Sequence, residues 1–246
     1  VAHSKYVKQA TIFEEPDIVI ILDACRYDKF IEVKNKMWFD GDTIPVWSPA
    51  HQTADWYKYY WGGRQDKNRI LISATPVPWR PHWVGDLIKN FYKAVPVWKD
   101  YENCDDLDNP NVDNVMHEAN KMKTVHQTKK LLIHIMPPHL PFYGKKGYTW
   151  MHTALGRNHA NIYIHVEHHG ARHGWAQMQK YYNESIEKAL TEIFTHKWIF
   201  DYHTVITADH GELIGEGNGY GHSKFNRDSP LLRVVPWHTV SKRKKL

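Results

Sequence analysis

Cysteine is scarce in this chain of 246 residues: Cys25 and Cys104 are the only two. They build neither a disulfide framework nor a CxxC metal knuckle, which points toward a cytoplasmic setting. Long apolar runs are lacking too. The best, Ile18 to Leu22 with its flanks, is strand-sized, and a membrane-spanning helix needs roughly 20 apolar residues. The opening VAHSKYVKQ has no apolar centre of the kind a secretory signal carries, though a start at Val1 rather than Met leaves room for processing or an upstream segment. Internal repeats and low-complexity tracts are absent, so solenoid and linker-like architectures are excluded.

An apolar fraction of 42% is enough to bury a full core. The net charge is +5, with 18 His besides. Such a balance suits an anionic substrate, a nucleic-acid partner or an ordinary basic surface. The tail SKRKKL is first a solvated charge run. Eleven Trp and 14 Tyr are many for this length and serve to fill core or line a groove.

Strand and helix patterns alternate along the chain. Residues 18–24 (IVIILDA) form a continuous β-branched run, as a buried parallel strand does. CRYDKFIEVKN reads as the helix that follows. TADWYKYYW, from Thr53 to Trp61, reads as a short helix with Thr53 at its start. RILISA (69–74), KLLIHIM (130–136) and HTVITA (203–208) read as further strands, and 84–95, 112–125 and 176–194 as helices. LLRVVPWHTV (231–240) is expected at a sheet edge, because Pro236 interrupts it. The alternation predicts one α/β domain over residues 1–246, with a mostly parallel central sheet and helices on both faces. Residues 143–175, rich in His, Gly and Trp, break the alternation and read as an insertion or lid over the strand ends. Within them His165, His168, His169 and His173 are more readily an exposed polar loop than a metal site.

Ligands of such sheets bind beyond the carboxyl ends of the strands. Asp23, the pair Asp209-His210 and the PPH ending at His139 all fall at such ends. An acid closing a buried strand is costly unless paired or metal-bound; as an alternative, Asp23 caps the helix after it. Asp209 and His210 could both reach one ion if the backbone turns sharply, and Gly211 permits a close approach. Two acids and an imidazole suit Zn or Mn better than Ca, with Mg a further alternative. At a helix start, the Thr53 hydroxyl would meet N–H groups and partial positive charge that favour an anionic oxygen; the alternative is that Thr53 only caps its helix.

The segments ILDACRYDKF, WSPAHQTADW, HIMPPHLPF, YYNESIEKALTEI and VITADHGELIGEG, followed by YGH and LLRVVPW, resemble in their order the alkaline phosphatase superfamily. The resemblance is to its sulfatase-like branch and runs from about Asp17 to Trp237. It implies an α/β sandwich and a metal-dependent hydrolase of phosphate or sulfate esters. It implies Asp23, Asp209 and His210 as metal ligands and a metal-activated nucleophile that falls on Thr53. His139 is similar to a substrate-contacting histidine of the family, and His222 in YGH to a late metal- or substrate-binding one. Arg26, in the same DACRYD segment, is taken as a further contact to an anionic substrate.

The C/S-x-P-S-R motif of true sulfatases is missing. Ser48-Pro49 is a faint echo of it, which keeps Ser48 as a second candidate nucleophile. Cys25 follows the first metal ligand closely and reads as a small buried residue. A threonine nucleophile resembles the phosphodiesterase and phosphoglycerol-transferase members, so phosphorus chemistry ranks above sulfate chemistry. The Asp-x-x-x-His pair of two-metal members is not found: His134 and His139 have no acid between them. One divalent ion is therefore the expectation, with a second on His139 and His222 as the alternative. Transfer to an alcohol, and a non-catalytic binding or assembly protein on the same fold, are the rival functions.

Overall fold

The computed structural model describes residues 5–37, 39–98, 111–140, 142–143, 175–218, 220–222 and 227–241. Ten strands are assigned among them: β1 Val7–Lys8, β2 Ile18–Leu22, β3 Gly41–Trp47, β4 Asp66–Ser73, β5 Phe91–Pro96, β6 Lys130–Ile135, β7 Thr204–Thr207, β8 Leu213–Ile214, β9 Tyr220–Gly221 and β10 Val234–Val240. The α-helices are α1 Gln9–Ile12, α2 Tyr27–Lys34, α3 Thr53–Trp61, α4 Pro81–Val84, α5 Val112–Val125, α6 Trp175–Thr195 and α7 Pro230–Arg233.

Eight strands form one sheet in the order β1-β3-β10-β7-β2-β6-β4-β5, and β8 pairs with β9 apart from it. The five strands from β7 to β5 run parallel to one another. Only β10 runs antiparallel, to both β3 and β7. The fold is thus α/β with a mostly parallel sheet, as the alternation predicts. Every residue of β2 is buried. Strands covered on both faces read as unbroken apolar runs for this reason.

Helices lie on both faces. Trp237 and His238 are consecutive in β10, so they point to opposite sides. Trp237 meets Phe13, which also packs on Trp56, Tyr60 and Trp61 of α3. His238 meets Phe30 of α2 and Phe194 of α6. α5 packs beside α6 and over β6 and β4.

Two expectations are corrected. The predicted helix over 84–95 is absent. Gly85, with φ of +67°, ends the short α4, a 3-10 turn follows, and Phe91–Pro96 pairs with β4 as an outer strand. Pairing with β4 outweighs the helical spacing of Leu87, Ile88, Phe91 and Val95. Nor is β10 an edge strand: it lies inside the sheet between β3 and β7. Pro236 is tolerated there because it stands opposite Pro45 in β3 and just beyond the register with β7, which runs from Trp237 to Thr239. Its carbonyl still accepts the Thr207 hydroxyl at 2.5 Å. The expected lid lies outside the described residues apart from Tyr143 and Trp175. Its four histidines, Cys104 and all of the basic tail after Ser241 lie outside them too. No helix among the described residues is long and apolar enough to cross a membrane.

Candidate active site

The adjacent parallel strands β2 and β7 end side by side, in register, and each is followed by an acid. The buried strands carry these acids inward: Asp23 is 2% exposed, and Asp209 and His210 are fully buried. The backbone after Asp23 is tightly held. Ala24 has φ of +60°, a region that costs a non-glycine residue on the order of 1 kcal/mol. Two contacts over-determine it. Its N–H donates to Asp209 Oδ1 at 3.0 Å, and its carbonyl accepts the Tyr182 hydroxyl at 2.5 Å. Asp209 Oδ1 also accepts the His210 N–H at 2.9 Å. One carboxylate oxygen thus pins both strand ends, and the other, Oδ2, is buried without a hydrogen bond.

Gly211 lets the chain turn there. A Cβ at this position would stand 2.0 Å from the Leu231 carbonyl oxygen, while the Gly211 N–H donates to the Leu232 carbonyl at 2.9 Å. The turn brings the His210 ring back over the acids. His210 Nδ1–H donates to the Gly211 carbonyl at 2.8 Å, so Nε2 offers its lone pair to the centre. It lies 3.5 Å from Asp209 Oδ2 and 3.7 Å from Asp23 Oδ1. Thr53, the first residue of α3, places Oγ1 3.2 Å from His210 Nε2 and 3.5 Å from Asp23 Oδ1. The structure brings together all four residues singled out as the metal and nucleophile set.

His134 joins them, which sequence reasoning missed. Its Nε2–H faces Asp23 Oδ2 at 3.2 Å, and the Tyr57 hydroxyl donates to its Nδ1 at 2.8 Å. The signal was present: His134 is one residue before the end of β6, and β6 runs beside β2. His139 comes from the loop after β6, where the Pro137–Pro138 bond is cis. Its N–H donates to the Asp23 carbonyl at 3.1 Å, which draws that loop onto the first acid. His222 lies close to His210, with ring centroids 4.3 Å apart and the planes tilted by 50°, and 5.7 Å from His139. Its Nδ1–H donates to Glu212 Oε1 at 2.9 Å. Glu212 is fully buried and its Oε2 has no hydrogen bond; sequence reasoning assigned no role to it.

Charge is distributed unevenly over the centre. Burial by itself would raise the Asp23 carboxyl, but His139, His134 and His210 outweigh it and hold the group below the ordinary carboxylate range. Burial, then the negative charge of Asp23, push Asp209 up to about 6. Burial keeps His210 far below its usual range, hence neutral. Burial would lower His222 as well, yet the charge and hydrogen bond of Glu212 lift it to about 9. The result is a neutral imidazole among the acids and a cationic one beside them.

These groups open on a cavity of about 490 Å³. Asp23, Thr53, His139 and His222 line its inner end, and Lys58, His82, Trp83 and Met136 its walls. Two other candidates have different occupations. Arg26 is 4% exposed and does not line the cavity. Its guanidinium donates to Asp28 at 2.6 Å and to Glu216 at 2.5 Å, bracing the chain beyond Glu212. Ser48 is buried, and its hydroxyl donates to the Asp209 carbonyl, so it props the second acid rather than facing the cavity. Cys25 is a small buried residue, as expected, and burial pushes its thiol well up.

No protein-family model matches the chain, and no curated protein matches it. Solved structures do. The integral membrane lipooligosaccharide phosphoethanolamine transferase A of Neisseria meningitidis superposes with a TM-score of 0.58 at 11% identity, over 90% of this chain and 47% of that one. This chain therefore spans about half the length of that transferase. The C-terminal periplasmic domain of EptC from Escherichia coli, in complex with Zn, gives 0.54 at 12% identity, over 90% of this chain and 72% of that one. A protein of the alkaline phosphatase superfamily from Vibrio parahaemolyticus gives 0.50 at 10% identity, over 92% and 60%.

Proposed function

We propose that this chain, which has the fold of the alkaline phosphatase superfamily in its sulfatase-like branch, is a metal-dependent enzyme acting on phosphate esters, with Thr53 as its nucleophile. One observation carries the reading. A hydroxyl at a helix start lies within 3.5 Å of both Asp23 and His210, at the inner end of an open cavity.

The residues present fit a divalent ion. Asp23, Asp209 and His210 each offer one ligand atom, all within 4.8 Å of one another. Asp209 Oδ2 is an orphaned buried oxygen, and two buried carboxylates this close call for a cation. The neutral imidazole is the form that ligates metals. Nitrogen and oxygen donors favour Zn or Mn, and the zinc complex of the EptC domain agrees with zinc. When bound, the ion would supply Lewis acidity, lowering the pKa of the Thr53 hydroxyl and stabilising charge on the phosphoryl oxygens.

The chain's own groups do the rest. Asp23 and His210 hold Thr53 Oγ1 in place through the 3.5 and 3.2 Å contacts, and with both serving as metal ligands its proton passes to water in the open cavity. The start of α3 turns its N–H groups and partial positive charge toward the substrate anion. Oγ1 attacks phosphorus in line, the bond to the leaving oxygen breaks, and phosphate resides on Thr53. His222, cationic at neutral pH, attracts the anion and can protonate the leaving oxygen; His139 stands beside it. Water attacking phospho-Thr53 completes a hydrolysis, and an alcohol completes a transfer. Hydrolysis is the reading carried forward from the motifs. Transfer has specific support, since two of the structures it superposes on bear the name phosphoethanolamine transferase or its abbreviation.

Metal-stripped protein, reloaded with Zn or Mn and offered aryl phosphate monoester, diester and sulfate, tests the reading. Metal-restored turnover of a phosphate ester supports it. Full activity after stripping, or turnover of sulfate alone, would overturn it. Metal binding with no turnover of any ester would favour a binding or assembly protein instead.

A further inference from the structure

A second group of metal-ligating side chains stands apart from the catalytic centre: Asp113 and His117 on α5, and His196 just after α6. We infer that these three residues form a separate zinc site that ties α5 to the chain leaving α6. None of them lines the cavity above Thr53. Each offers one ligand atom, and the three atoms lie within 4.8 Å of one another.

The arrangement has the features of a built site. Asp113 and His117 are four residues apart in one helix, so their side chains leave the same face. Asp113 is the second residue of α5, a position where an acid serves the helix start. That duty is already met, because Asn111 Oδ1 accepts the Asp113 N–H at 2.9 Å. The carboxylate turns instead to His196, whose Nε2 lies 2.8 Å from Asp113 Oδ1. The His196 side chain is only 10% exposed, which fixes its ring. His117 meets that ring edge-on, with centroids 5.9 Å apart. An ion pair between Asp113 and His196 gains nothing from His117, whereas a tetrahedral metal does.

Two imidazoles and a carboxylate are a three-protein-ligand zinc set, which leaves a fourth position open. Asp113 and His117 border a cavity of about 650 Å³, walled by Val95, Pro96 and Val97 at the end of β5. Water or a small anion has room there as the fourth ligand. The site joins α5 to the chain leaving α6, so zinc binding would stabilise the folded chain by mass action.

The test counts zinc on the full chain by elemental analysis after equilibrium dialysis, in wild type, His117→Ala and Asp113→Asn. The asparagine keeps the side-chain shape, which guards against a folding defect. Each variant should bind one zinc equivalent fewer than wild type, and its turnover of an aryl phosphate diester should be unchanged. Equal zinc content in wild type and both variants overturns the site. The catalytic reading fails by a different result, absence of turnover in wild type, which leaves the zinc difference intact.

Discussion

Replacing Asp209 with asparagine should make the metal-free protein more stable and the metal-loaded protein inactive. Asparagine keeps a carbonyl oxygen to accept the Ala24 and His210 N–H groups. The Oδ2 it replaces has no hydrogen bond to lose. The change therefore removes one buried charge and little else. In the fold the Asp209 carboxyl titrates near 6 instead of 3.8, raised by burial and by Asp23. A raised carboxylate pKa means the folded state binds the proton more tightly than the unfolded chain. The group thus costs stability above pH 6, and the cost disappears as pH falls toward 4. Two pKa units correspond to roughly 3 kcal/mol at neutral pH. For a chain of this size that is a rise in Tm of roughly 6–12 °C. Thermal melts in EDTA at pH 7.5 read it directly, and the gap between variant and wild type should close near pH 4. Melts with added zinc should show the opposite order of response, because the variant has lost a charged ligand. An Asp209→Asn protein that melts no higher than wild type in EDTA, or that keeps the full zinc-induced shift, would refute this reasoning.

His139→Ala and His222→Ala should leave the metal content equal to that of wild type while lowering kcat/KM by roughly ten- to a thousand-fold, as lost charge-stabilising or proton-donating groups do. Loss of one metal equivalent in both would show a second ion at the centre, held with Glu212. His238 should govern acid sensitivity of the fold. Burial and then the charge of Lys34 pull it down to about 4, while Thr43 Oγ1, which accepts Lys34, donates to its Nδ1 at 2.8 Å. A depressed histidine pKa gives stability that is complete above about pH 6.5 and is lost toward pH 4, on the order of 3 kcal/mol. His238→Phe, among Phe30, Phe39 and Phe194, should flatten that decline in urea-unfolding midpoints measured from pH 7.5 to 4.5. An unchanged slope would show that other groups carry it.

The parts of the fold that were legible share one property: their local pattern and their tertiary role agree. The unbroken run of β2 is buried on both faces, and α3 and α5 span the predicted residues because their apolar spacing is also their packing face. Segments decided by pairing were not legible. GDTIPVW holds a glycine and a proline, and only its last two residues are buried after five that alternate between half-buried and exposed, yet it is strand β3 because β10 lies against it. β5 reads as a helix until β4 captures it. The site follows the same division. Asp23, Asp209 and His210 announce themselves as polar residues at the ends of apolar strands. His134 does not, since a lone histidine inside KLLIHIM looks like core until β6 is set beside β2. Glu212 and Arg26 exchange expectation for a similar reason. Glu212 holds His222 and Arg26 pairs with Asp28 and Glu216, partners that spacing along the chain does not show.

The most direct test of the central claim is the covalent state of Thr53 during turnover. Metal-loaded protein mixed with an aryl phosphate monoester, quenched in acid within a few turnovers and digested, should yield a peptide containing TADWYKYYW with phosphate on Thr53. Thr53→Ala should yield no phosphopeptide and should lose activity by several orders of magnitude, roughly the scale seen when an enzyme's nucleophile is removed, while keeping its melting behaviour. Phosphate found on Ser48, or a Thr53→Ala protein that turns over at the wild-type rate, would contradict the account.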